Sequence, residues 1–101
     1  MRIHFIGIGG VGMGRLAGIL KAAGHAVSGS DNPVYEPMQS YLANIGIAPS
    51  SYSPANISED LDVVVVGAAE REDNVEVRQC KRLNLSLVSL PEALQKHVVG
   101  E

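Results

Sequence analysis

Short apolar runs alternate with stretches of helical spacing along the whole chain. Residues 3–8, IHFIGI, read as a first strand, after which Met13, Leu16, Ala17 and Leu20 recur at the spacing of one helix face until Gly24 supplies a stop. His25 to Ser30 form a short second strand ending at Asp31. Asn32-Pro33 then breaks the chain, and Tyr35 to Asn44 suit a helix closed by Gly46. A weak third strand is expected near Ile47, followed by a polar loop from Pro49 to Asn56. In LDVVVVG, residues 61–67, four consecutive valines without alternation suit a strand covered on both faces, so this fourth strand is expected at the centre beside the first. Asp73 and Glu76 have capping-box spacing and open a helix through about Leu83, and Leu85 to Val88 give a fifth strand. Ser89 and Glu92 repeat the spacing with Pro91 in the first turn, opening a last short helix to about His97. This alternation predicts an α/β fold with a parallel sheet of about five strands and helices on both faces.

Length and composition narrow the picture. A chain of 101 residues has room for one core and not for a second independent domain. Its net charge of -3 lacks the basic excess of a nucleic-acid binder. The apolar runs are too short for a membrane span, and Arg2, His4 and the glycines interrupt any signal-peptide pattern, so a cytoplasmic location is expected. Cys80 is the single cysteine, which excludes an intrachain disulfide and a cysteine-rich zinc site; it reads as an ordinary helix residue.

The candidate chemistry lies in GIGGVGMG, residues 7–14, where five of eight positions are glycine. Gly7, Gly9 and Gly12 satisfy G-x-G-x-x-G between a strand and a helix, with Asp31 beyond. In such a loop the first glycine permits the turn, the second lets a phosphate approach the backbone, and the third lets the helix pack closely. The unsatisfied amides at the helix start, including those of Gly10 and Val11, together with the helix dipole, then make a pyrophosphate site without any lysine. The competing reading is that these glycines, like Gly14 and Gly18, serve only close packing. Asp31 either accepts hydrogen bonds from a ribose diol or makes an Asx turn into Asn32-Pro33. Ala68 and Ala69, leaving the valine strand on the same rim, give room for a ligand, and Asn74 either contacts it or caps its helix. His4 and His25 are expected to complete packing. Nothing in the sequence suggests a catalytic or metal-binding constellation.

Three functions compete at this point. One is the substrate-binding domain of a larger ligase. Another is the nicotinamide-nucleotide domain of an oxidoreductase or regulatory nucleotide sensor. The third is an adenylating enzyme, whose loop is also glycine-rich but which should bring basic and acidic residues after the second strand, where this chain has Asn32-Pro33-Val34-Tyr35. An oxidoreductase would need a second half and a catalytic residue that 101 residues do not hold.

The segments IHFIGIGGVGMGRLAGIL, GHAVSGSD, VYEPMQSYLANIGI and VVVVGAAEREDNVEV together resemble the N-terminal domain of the Mur ligases of peptidoglycan synthesis, over nearly all of the chain. The glycine loop and GHAVSGSD are similar to the branch holding the UDP-N-acetylmuramate:L-alanine ligases and the murein peptide ligases. VYEPM and SLPEAL tilt toward the latter, whereas Gly9-Gly10-Val11 pulls the other way. The resemblance implies a Rossmann-like, three-layer domain that binds UDP-N-acetylmuramic acid, with no nicotinamide. Gly7, Gly9, Gly10, Val11 and Gly12 would take the pyrophosphate, and Asp31, Ala68, Ala69 and Asn74 would lie near the uridine. In such ligases ATP phosphorylates the muramyl carboxylate to an acyl phosphate, which the amine of L-alanine or of a tripeptide attacks. ATP and Mg2+ are held by a middle domain with a P-loop, and the amine substrate by a last domain. No Gly-Lys pair occurs in this sequence, so the chain is expected to be a single first domain, residues 1–101, of a larger ligase, without ligase activity of its own. Glu70 and Val75 depart from the residues usual in relatives, which bears on the contacts near Asn74.

Overall fold

A computed structural model describes residues 1–68, 70 and 72–99 of the chain. Its sheet is built from β1 (Arg2–Ile6), β2 (Ala26–Ser30), β3 (Val63–Val66) and β4 (Leu87–Ser89), all parallel, in the order β2-β1-β3-β4. The helices are α1 (Val11–Ala22), α2 (Met38–Asn44), α3 (Val75–Arg82) and α4 (Leu90–Leu94), with a 3-10 turn at Pro54–Asn56 and a π-helical turn at Gln95–Val99. The valine run pairs with β1 from Ile3↔Val63 to Ile6↔Val66, so the two strands expected to be adjacent at the centre are so.

Strand alternation sorts the core into two layers. Ile3 and Phe5 of β1 and Val63 and Val65 of β3 pack against α1, α2 and α4 through Met13, Leu16, Leu20, Met38, Leu42 and Ala93. Ile6 and Val64 point to the other face, where Val77 and Cys80 of α3 cover them with Ile57 and Leu61. Fully buried side chains such as Phe5, Leu16 and Leu42 each contribute about 1.5–3 kcal/mol of hydrophobic stabilisation, more than any single surface contact. Cys80 belongs to this core despite its polar sequence neighbours, and burial, then the charge of Glu76, push its thiol pKa up to about 11.

Three expectations need correction. The sheet has four strands, not five: the segment near Ile47 contributes only one bridge, Ser30↔Ser50, because Pro49 has no amide to donate and the chain turns away through Pro54. Helix α2 starts at Met38 rather than Tyr35, since the residue before Pro37 is disfavoured in helical geometry. Helix α3 is capped by Asn74, whose Oδ1 accepts from the amides of Glu76 (2.8 Å) and Val77 (3.4 Å), and not by Asp73 with Glu76. Glu76 points inward instead. The Ser89–Glu92 capping box is present.

Candidate anion-binding site at the glycine loop

The loop leaves the C-terminal end of β1, beside the end of β3, where Gly67 N–H donates to the carbonyl of Ile6 (3.0 Å). Gly7 has φ +88°, a left-handed conformation that makes the turn and strains any side chain. The amides of Gly7 and Ile8 donate to the carbonyl of Ser30 at 2.8 and 3.1 Å, and that of Gly10 to Gly7 (3.3 Å). Helix α1 therefore starts with its loop tied down against the end of β2.

At the helix start the amides of Val11, Gly12 and Met13 have no hydrogen-bond partner among the described residues. The N-cap is Gly10, which has no side chain to cap them, and the first turn carries no acidic residue, while Lys21 lies in the last turn. An anion is what such an end accepts: the amides point at it and the twelve-residue helix dipole favours it.

The second glycine has a packing role within the chain. A Cβ on Gly9 would meet Asp31 Oδ2 at 2.6 Å and Val34 Cγ2 at 3.2 Å, so its missing side chain makes room for the end of β2. Its amide donates to Asp31 Oδ2 at 2.7 Å. A Cβ on Gly12 would meet Leu90 Cδ2 at 2.8 Å, so the third glycine admits α4 rather than drawing α1 onto the sheet. Gly14 lies against Met38 and Gly18 against Tyr41, so these two serve α1–α2 packing.

Asp31 makes the turn contact weighed for it and bonds the neighbouring loops. Its Oδ1 accepts from Asn32 N (2.8 Å), the turn contact, and from the Tyr52 hydroxyl (3.3 Å), yet the side chain stays half-buried at the rim. Tyr52 also donates to Glu70 Oε1 at 2.8 Å. Burial first, then the Glu70 hydrogen bond and the two carboxylate charges, raise the Tyr52 pKa far above the usual phenol range. Glu70 lies over Gly7, where a Cβ would meet its Oε2 at 2.6 Å, and its Oε1 receives Asn74 Nδ2 at 3.3 Å. Ala68 is exposed at the same rim, and Ala69 lies outside the described residues. Sequence reasoning missed Tyr52, which has no local signal in its polar loop, and met Glu70 only as a departure from relatives.

A strand, a glycine turn and a helix start whose first three amides have no partner among the described residues stand together at the carboxyl edge of a four-stranded parallel sheet. Residues 2–100 match the family described as Mur ligase family, catalytic domain. The chain belongs to the Mur ligase family. It is 40% identical over 97 residues to the UDP-N-acetylmuramate–L-alanine ligase of Lactobacillus delbrueckii subsp. bulgaricus, covering 96% of this chain and 22% of that protein. Among solved structures it is similar to the UDP-N-acetylmuramate:L-alanyl-gamma-D-glutamyl-meso-diaminopimelate ligase from Neisseria meningitides, at 38% identity and TM-score 0.86, covering 96% of this chain and 31% of that one. The murein peptide ligase from Psychrobacter arcticus gives 35% identity and TM-score 0.89, covering 98% and 21%. This Mur ligase chain thus spans about a fifth to a third of the lengths of the proteins it matches.

Proposed function

We propose that this chain is the UDP-N-acetylmuramic acid-binding domain of an ATP-dependent, cytoplasmic ligase that forms an amide bond in peptidoglycan synthesis or recycling. The observation that carries the reading is the uncapped start of α1, with the amides of Val11, Gly12 and Met13 free for a diphosphate, in a chain whose relatives are named for UDP-N-acetylmuramate. Gly7, Gly9 and Gly10 shape the turn that presents those amides. In this reading Asp31, Ala68 and Asn74 are assigned to the uridine, where the Asp31 carboxylate suits ribose hydroxyls, and Ala69 is assigned there from the sequence alone. The tripeptide is the favoured amine of the whole ligase, from VYEPM and SLPEAL, and L-alanine the next.

The residues described do not fit an ATP–magnesium site. The sequence has no Gly-Lys pair, and among the described residues no three His, Cys, Asp or Glu side chains cluster to hold a metal. In this reading ATP and Mg2+ belong to the middle domain of the ligase and the amine to its C-terminal domain. No helix among the described residues is long and apolar enough to cross a membrane.

Calorimetry tests the proposal. UDP and UDP-N-acetylmuramic acid are expected to bind the 101-residue chain, and NADH to bind at least about tenfold more weakly, a difference of about 1.4 kcal/mol. Supplied with UDP-N-acetylmuramic acid, ATP, magnesium and either L-alanine or the tripeptide, the chain should release no phosphate above blank. Tighter NADH binding would favour an oxidoreductase or sensor domain, and phosphate release would reveal a catalytic site within the chain.

A further inference from the structure

On the face of the sheet opposite α1, the Glu76 side chain is fully buried on the inner face of α3. Helix α3 does not need this carboxylate, because Asn74 already caps it and its inward neighbours are Val77 and Cys80. An apolar residue would fill the same space without desolvating a charge. What the carboxylate does is collect donors from separate segments. Its Oε1 accepts from His4 Nε2 of β1 at 2.9 Å and from the Ser30 hydroxyl at the end of β2 at 2.5 Å. Its Oε2 accepts from Ser53 N at 3.0 Å and Asn56 Nδ2 at 2.7 Å, both in the loop before β3. His4 is itself buried, and its Nδ1 lies 2.8 Å from the Ser28 hydroxyl.

Two arms of this network, those through Ser30 and Ser53, lead to the rim. The carbonyl of Ser30 receives the Gly7 and Ile8 amides, and the next residue, Asp31, receives the amide of Gly9. Next to Ser53 stands Tyr52, which joins Asp31 to Glu70. One carboxylate therefore fixes the turn that aims α1 and the loop that aims Tyr52. We propose that Glu76 is a positioning residue for the glycine-loop site, acting through Ser30 and Ser53 without touching the ligand; as a statement about nucleotide binding, this rests on the function proposed above.

The test is amide hydrogen exchange by NMR on the unliganded 101-residue chain, comparing wild type with Glu76→Gln and Ser30→Ala, followed by UDP titration of each. Glutamine keeps the shape but replaces one acceptor oxygen with a donor, so one pair of incoming bonds is lost. The amides of Gly7, Ile8 and Gly9 are expected to exchange at least about tenfold faster in both variants, while Leu16 and Ala17 within α1 keep wild-type rates. The Kd for UDP is expected to rise about tenfold with the loosened loop. Wild-type exchange at Gly7 to Gly9 in folded Glu76→Gln, or a uniform acceleration of every amide, would overturn the proposal and leave Glu76 a stability residue. If Glu76→Gln does not fold, Ser30→Ala, which removes the hydroxyl's bond to Glu76 and its contact with His4 Nε2 but leaves the Ser53 and Asn56 bonds to Glu76, decides by the same criterion. Should wild type bind no UDP, the nucleotide reading falls, while the exchange comparison, made without ligand, still decides whether Glu76 sets the loop.

Discussion

Asp31 holds two backbone amides, those of Gly9 and Asn32, and accepts a tyrosine hydroxyl as well, so its carboxylate organises the loop at the rim. Asp31→Ala is expected to weaken UDP binding by about 1–3 kcal/mol, the loss of a charge-assisted hydrogen bond. Calorimetry beside a thermal melt checks this; unchanged affinity with a lowered melting temperature would assign Asp31 to the turn alone. At this scale the sequence was legible where chemistry is local. The glycines and Asp31 announce themselves by spacing, since a turn off a strand and an uncapped helix start depend on residues a few positions apart. Glu70, Tyr52 and Glu76 were not legible, because each acquires its role from partners far along the chain: Glu76 meets His4 and Ser30, and Tyr52 meets Asp31. Nothing local distinguishes a glutamate in the first turn of a helix that faces water from one that faces a histidine across a sheet. Gly9 shows the same limit. Its motif position was evident, but only the fold shows that its missing side chain makes way for Asp31 and Val34.

At the scale of elements, α3 carries a pH dependence. Burial raises the Glu76 carboxyl pKa, but hydrogen bonds from His4, Ser30, Asn56 and Ser53 more than offset that and hold it below its ordinary 4.5. A carboxylate held low in the fold contributes stability that is fully present above the ordinary value and is lost as pH falls through the folded value. The melting temperature of the wild type is therefore expected to hold above about pH 4.5 and fall steeply below it, and Glu76→Gln to show a lower plateau and a shallower acid limb. Glu36, Asp60 and Glu92 are also held low, but on the exposed surface, where solvent screens their contribution. Parallel acid limbs in the two proteins would remove Glu76 from the account of acid unfolding. Element boundaries differ from sequence expectation where a proline or an inward-turning residue decides: Pro37 delays α2, Pro49 reduces a strand to one bridge, and the burial of Glu76 passes the cap to Asn74.

Over the whole molecule, the topology was the most legible feature, because four unalternating valines demand a strand covered on both faces and so fix the centre of a parallel sheet. That sheet brings the ends of β1, β2 and β3 to one edge and puts the start of α1 there, its first three amides without a partner among the described residues. The central claim, that a UDP-sugar's diphosphate rests on those amides, is tested most directly by an NMR titration of the isotopically labelled chain with UDP-N-acetylmuramic acid, with NADH and ATP as comparisons. The expected result is that the amide resonances of Val11, Gly12 and Met13 move most and saturate with the UDP-sugar, with smaller shifts from NADH and ATP at the same concentration. Larger shifts with NADH or ATP, or a UDP-sugar response centred away from residues 8–14, would contradict it.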